Sequence, residues 1–310
     1  MAAILIYSEK NSLAMELLTA AQFLAQDTAL EVKALCLNND EQAAELASRG
    51  AAAFQVKNEN ISLADTAAVA TVLEQAVKKL DASTIILASN RRGKELAGRL
   101  AQKLKAGCLT DVNSLAVVDG KIQCCRNALS GAVIATQQIE SDLKVIALAP
   151  RSFEIAAAKQ GGSNQELAIE AAASPLKLID RRSKTGDTVD IATADILVIV
   201  GQGMEQEDLE LARRIAETLG GEIACSKPVA TDRKWFPEDR IVGLSGKICK
   251  PQLAIILGVS GQVQFAVGIR DANIIVAVNN DENANIIQMA DYALVADLKE
   301  ILPELTQSLM

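Results

Sequence analysis

The sequence predicts an α/β protein of two doubly wound domains with mostly parallel sheets, and three observations carry that expectation. Short apolar runs alternate with segments of helical periodicity as far as residue 105, and the alternation restarts at Asp195. Half of the residues are hydrophobic but only 3% are aromatic, an aliphatic palette suited to strands buried under helices. At 310 residues the chain is long for a single core, so two domains are expected.

Residues 3–7 read as the first strand, 12–25 as a helix, 30–37 as a strand and 41–49 as a short helix ending near Gly50. A strand over 52–56, an amphipathic helix over 64–80 and a β-rich run over 83–88 continue the rhythm. That run feeds Asn90 and a basic helix reaching Lys105. Between Asp111 and Ala149 the pattern turns antiparallel. Residues 115–118, the turn Asp119-Gly120 and residues 121–125 read as a hairpin, because Asp-Gly favours two-residue turns. Further strands are expected at 132–137 and 144–148. The stretch from Pro150 to about Asp190 reads as a strand-bearing connector, with Gln160-Gly161-Gly162-Ser163, an apolar island at 176–179 and a charged run at 180–187. The domains are therefore drawn as 1–188 and 189–310.

In the second domain a strand at 195–200 runs straight into Gly201-Gln202-Gly203, and a helix at 205–219 stops at Gly220-Gly221. Strands follow at 222–225, 253–259, 273–278 and 293–296. Residues 261–268 open a helix, and 298–309 form the last one.

Composition removes several function classes. A formal net charge of -8 argues against nucleic acid as the main partner, since phosphate backbones need a basic surface. There is no histidine, which excludes Ser-His-Asp and Cys-His catalysis and His-ligated metals within this chain and favours carriers and binding subunits. Six cysteines lack any C-x-x-C spacing, so neither a zinc site nor a thioredoxin-like motif is indicated; reduced, mostly buried thiols are expected. No apolar run reaches about 18 residues and the first residues lack a basic leader, so the expectation is a cytoplasmic protein without membrane insertion.

Three turns carry chemistry. Gly201-x-Gly203, between strand and helix, can bring a phosphate against free backbone N–H groups, although the third glycine of the full fingerprint is missing and a plain turn reads equally well. Gly258-Val259-Ser260-Gly261-Gln262-Val263-Gln264 repeats the arrangement with a hydroxyl and two amides able to donate to phosphate or ring oxygens. Val242-Gly243-Leu244-Ser245-Gly246-Lys247 adds glycines, a hydroxyl and a cation. In one small parallel sheet these turns share the carboxyl edge, where such sheets bind ligands. Elsewhere, Arg91, Arg92 and Lys94 either hold an anion or form a solvated, partner-facing patch, and Trp235 with Phe236 reads as a packing anchor.

At these residues the chain resembles the electron-transfer flavoprotein alpha subunit family, and its wording is similar to the FixB-like branch. The resemblance lies in Cys225-Ser226-Lys227-Pro228-Val229-Ala230, in the turn from Val242 to Lys247 with Lys250-Pro251-Gln252-Leu253, and in Gly258 to Gly268. It continues through Asn279-Asn280-Asp281, Ala290-Asp291-Tyr292 and Asp297, and in the first half through Asn90-Arg91-Arg92-Gly93-Lys94 and Thr110-Asp111-Val112.

The resemblance implies a Rossmann-like FAD-binding C-terminal domain and an electron carrier without a substrate site of its own. It implies a heterodimer with an electron-transfer flavoprotein beta subunit, and an acyl-CoA dehydrogenase-like donor or acceptor in fatty acid or carnitine metabolism. Carried over residue by residue, it places Ser226 and Lys227 near the isoalloxazine, and Val242, Gly243, Leu244 and Ser245 at the flavin and ribityl chain. Ser260, Gly261, Gln262, Val263, Gln264 and Phe265 fall beside the pyrophosphate and ring, and Asn279 and Asp297 near the adenosine end. Four positions depart from the family. Gln202 and Lys227 replace Arg, Leu244 replaces Gln, and Phe265 replaces a His that can hydrogen-bond a reduced flavin. Two other readings stay open, namely a paralogue that has lost tight flavin binding and serves as a scaffold, and a NAD-dependent oxidoreductase. The second lacks a suitably placed acidic residue after Gly203.

Overall fold

A computed structural model describes residues 3–129, 133–159, 161–176, 179–180 and 190–309. They divide into two compact units, 1–181 and 182–310. The boundary expected at 188/189 and most of the charged run at 180–187 fall outside the described residues, as do Ala132 and Gln160.

In the first unit, strands and helices alternate as β1 (Ala3–Tyr7), α1 (Asn11–Thr28), β2 (Glu31–Leu37), α2 (Asp40–Ser48), β3 (Ala52–Val56), α3 (Thr66–Lys79), β4 (Ala82–Ala88) and α4 (Arg91–Leu104). Side chains cap three of the helices: Asn39, Asp65 and Asn90 accept from backbone N–H groups of the first turns of α2, α3 and α4. Then come β5 (Gly107–Val118), β6 (Lys121–Ala128), β7 (Val133–Gln138), β8 (Lys144–Leu148) and β9 (Ser163–Glu166). The nine strands form one sheet in the order β7-β6-β5-β8-β4-β1-β2-β3-β9. Only β5-β6 and β6-β7 are antiparallel. Asp119 and Gly120 both have positive φ, as the expected hairpin turn requires. One apolar cluster joins α1 and α2 to the sheet and a second joins α3 and α4, so both faces are covered. The connector does carry a strand, the polar Ser163–Glu166 extending the edge at β3; of the apolar island, Leu176 and Ile179 are exposed and residues 177–178 lie outside the described residues.

The second unit contains β10 (Ile196–Val200), α5 (Leu209–Thr218), β11 (Glu222–Cys225), α6 (Lys227–Thr231), β12 (Leu253–Leu257), α7 (Val263–Ala266), β13 (Ile274–Asn279), α8 (Asn285–Met289), β14 (Tyr292–Val295) and α9 (Leu298–Leu309). Its five strands are all parallel, in the order β11-β10-β12-β13-β14. The chain winds outward from β10 to β11, then returns past β10 to β12. The switch point lies between β10 and β12, where such sheets open a crevice beyond their carboxyl ends. Cores of aliphatic residues cover both faces, one including α5 and α9 and the other α7 and α8.

Three details differ from the sequence expectation. The helix opened by residues 261–268 is a single turn at α7, because Gly261 and Gly268 are held against neighbouring backbone and cannot extend it: a Cβ on Gly268 would lie 2.3 Å from Gly243 N. A 3-10 turn, Gln206–Asp208, precedes α5. The short helices α6 and α8 were not anticipated, since each is too brief to show a period.

Candidate functional site

A cavity of about 440 Å³ opens at the carboxyl rim of the second sheet, within the range of small-molecule sites. Its wall is made by the residues that leave each strand. Gln202 and Gly203 follow β10, Ser226 and Lys227 follow β11, Gly258 and Ser260 follow β12, and Asn279 ends β13. The sheet's hydrogen bonding continues into these turns: Ser226 N–H donates to Val200 O, Gly201 N–H to Leu257 O and Gly258 N–H to Val278 O. The rim is thus a stiff extension of the strands.

Glycine makes that rim possible at two places. A Cβ on Gly201 would stand 2.2 Å from the carbonyl oxygen of Gly258, so the turns after β10 and β12 approach only as glycines. Gly243, at φ 133°, lies where a Cβ would meet Gln264 O at 2.7 Å. The Val242–Lys247 turn docks here: Val242 N–H donates to Cys225 O and Leu244 N–H to Gln264 O, closing the cavity's side.

Of the residues singled out in the sequence, eleven line this cavity. Ser226, Ser245 and Ser260 present hydroxyls, Gln202, Gln262 and Gln264 amides, and Lys227 an ammonium. None of these side chains hydrogen-bonds or ion-pairs with another described residue. Ser226 decides the fit, being 7% exposed with its hydroxyl unspent, a donor and acceptor held for something outside the chain. Lys227 is the one cation on the lining among the described residues. Lys247 is committed instead to Asp190, at 2.7 Å.

Val242 and Phe265 give the cavity an apolar wall and belong to the buried cluster behind it. Asn279 is buried, and each end of its amide bonds within the chain. Its Nδ2 donates to Val259 O at 2.8 Å and its Oδ1 accepts from Asp281 N at 2.9 Å. It shapes the rim by joining the ends of β12 and β13.

Four expected residues stand off the lining. Leu244 is exposed and contributes through its backbone, and Val263 also points outward. Gly261 packs on α8, where a Cβ would meet Ile286 N at 2.3 Å. Asp297 caps α9, accepting from Lys299 N–H. The sequence reading missed Pro228, Val259, Asp281 and Ala284 as lining residues and did not count Gly203 and Gly258 among the contacts. The Asn279-x-Asp281 spacing of an Asx turn was the available signal for Asp281.

Two of the three cations at the start of α4 are paired within the chain. Arg92 pairs with Glu9 at 2.5 Å and Lys94 with Asp111 at 2.7 Å. The cavity beside them holds about 20 Å³, the room of one water molecule. Trp235 and Phe236 act as packing anchors, each carrying an arginine over its ring: Arg233 on Trp235 at 4.5 Å and Arg213 on Phe236 at 5.1 Å. All six cysteines are free thiols and four are buried, as expected; Cys108 in β5 is exposed and Cys125 in β6 half-buried. Among the described residues no cluster could hold a metal ion, and no helix is long and apolar enough to cross a membrane.

Comparison with known proteins agrees with this geometry. Residues 8–174 match the electron transfer flavoprotein domain family and residues 190–270 the electron transfer flavoprotein FAD-binding domain family. The protein FixB of Escherichia coli O157:H7 is 32% identical over 310 residues, covering 98% of this chain and 97% of FixB; that of Shigella flexneri gives the same figures. A putative electron transfer flavoprotein subunit, YdiR of Escherichia coli K12, is 33% identical over 92% of each chain. The chain belongs to the electron transfer flavoprotein alpha-type family, whose C-terminal domain takes FAD as cofactor.

Proposed function

From that membership, we propose that this chain holds FAD in the cavity between β10 and β12 and serves as the alpha-type subunit of a two-subunit electron carrier. The beta-type subunit is its partner, and an acyl-CoA dehydrogenase-like protein gives or receives the electrons. The observation that carries the reading is the set of unspent donors around the cavity, with buried Ser226 foremost, inside the segment that matches a FAD-binding domain.

Bound there, FAD supplies a centre that takes up and releases electrons; the protein's work is to bind, orient and tune it. Ser226, Ser245 and Ser260 hydrogen-bond the cofactor's polar edges. Lys227 offsets its negative charge, without the planar fork of an arginine. The glycines of the two tied turns let phosphate come against backbone N–H groups. Val242 and Phe265 present an apolar surface that excludes water from one side.

The test is co-expression with the neighbouring beta-type chain, followed by absorbance and cofactor extraction. About one FAD per heterodimer, reducible by an acyl-CoA dehydrogenase with its substrate, is the expected result. A colourless complex that stays colourless after FAD is added sinks the reading and leaves a scaffold subunit.

A further inference from the structure

The turn after β10 is held from behind by a residue outside the cavity. Arg233 lies just beyond α6 and is not on the lining. Its Nη1 donates to Met204 O at 2.5 Å and its Nη2 to Gln202 O at 2.8 Å. The guanidinium rests on the Trp235 ring at 4.5 Å, an arrangement made possible by Lys234, whose φ of 57° folds the chain back. Trp235 N–H and Arg233 N–H both return to α6, donating to Val229 O and Pro228 O. Arg233, by its backbone and side chain together, therefore couples α6 and its N-cap, which supply Lys227 and Ser226 to the rim, with the turn that supplies Gln202 and Gly203.

The coupling has an electrostatic consequence. A carbonyl oxygen facing an anion repels it, and a peptide N–H attracts it. In this turn the carbonyls of Gln202 and Met204 are taken by a cation, the Gly201 carbonyl accepts from Met204 N–H, and Gly203 N–H donates to Gly258 O. Gln202 N–H has no partner among the described residues, although Gln202 lines the cavity. We propose that Arg233 is a positioning residue: by holding the carbonyls of Gln202 and Met204 on the far side of the turn, it leaves the Gln202 N–H for the phosphates of a dinucleotide. The planar fork is what spans two carbonyls, so lysine is a partial substitute only. This rests on the reading that the cavity takes FAD.

The test compares full-length wild type, Arg233→Ala and Arg233→Lys by equilibrium titration with FAD and with ADP, alongside ligand-free thermal melting. The expected result is that Arg233→Ala weakens both ligands at least about tenfold, the loss of one charged hydrogen bond. Arg233→Lys should fall between, with a ligand-free melting temperature near that of wild type. Wild-type affinities in either variant overturn the inference. So does a loss for FAD without one for ADP, which would move the turn away from the phosphates. Should Arg233→Ala not fold, Arg233→Lys decides alone: weakened binding with normal melting supports the role, and undiminished binding ends it. Wild-type protein that binds neither ligand defeats the FAD reading itself, a failure visible before any variant is made.

Discussion

The N–H of Gly203 donates to the carbonyl of Gly258 at 2.9 Å, tying the turns after β10 and β12 across the switch point of the second sheet. A Cβ on Gly201 would stand 2.2 Å from that same carbonyl oxygen. Gly201→Ala must therefore push the turns apart, at a cost on the order of 1–3 kcal/mol. Urea unfolding should register that loss, and FAD affinity should fall at least about tenfold. An alanine variant that binds FAD like wild type would show that the tie does not shape the site.

Lys227 is exposed, lines the cavity, and has no carboxylate partner among the described residues. Lys227→Gln should weaken FAD by about three- to tenfold at low salt and by less at high salt, because exposed charges are screened. Melting of the ligand-free protein should hardly change. Lys227→Arg, the residue the resemblance implies at this position, should retain or tighten binding. An affinity loss that ignores ionic strength would speak against a charge-based role.

Much of this was legible in the sequence, for identifiable reasons. Strands β10, β12 and β13 announce themselves as apolar runs, and the glycines after β10 and β12 mark where the chain leaves the sheet. What stayed hidden depends on contacts distant in sequence. Asn279 looks like a ligand-facing amide, yet both of its polar ends serve the chain. Lys247 looks like a cation for the site, yet Asp190, 57 residues earlier, claims it. Strand β9 is all polar and exposed, so no period betrays it; only pairing with β3 makes it a strand. Spacing shows which residues reach the rim but not which of their atoms are already used.

Phe265 stands where the resemblance implies a histidine beside the flavin ring, and it is 7% exposed within an aliphatic cluster. A phenyl group cannot donate to a reduced cofactor, so Phe265→His should favour reduction. Redox titration of the loaded protein should show the potential rising by a few tens of mV, about 30 mV for each tenfold tighter hold on the two-electron reduced form. Burying an imidazole there should also cost about 1–3 kcal/mol of stability. An unchanged potential in a folded, FAD-loaded variant would remove Phe265 from the tuning of the cofactor.

Asn279→Leu keeps approximate size but leaves Val259 O and Asp281 N without their partners. Each unsatisfied group costs about 1–3 kcal/mol where buried, so a loss near 2–4 kcal/mol is expected by urea denaturation. Asn279→Asp, which keeps the acceptor and loses the donor, should lie between. Equal stability of Asn279→Leu and wild type would show that the rim does not need this bridge.

Alkaline pH gives a test that spans both units. Burial pushes the thiols of Cys36 in β2 and Cys225 in β11 up to about 12, with Arg240 pulling Cys225 slightly the other way. In the unfolded chain both titrate near 9. Below pH 9 both states keep these protons and the thiols contribute their full stability. Between about 9 and 12 the unfolded chain releases protons that the folded chain retains, so stability falls as pH rises, by about 1.4 kcal/mol per pH unit for each thiol. Urea unfolding under reducing conditions from pH 8 to 11 should show that decline, and Cys36→Ala should make it shallower for the first unit and leave the second unit's slope unchanged. Identical slopes for wild type and the Cys36→Ala, Cys225→Ala double variant would mean that these two thiols are not what limits alkaline stability.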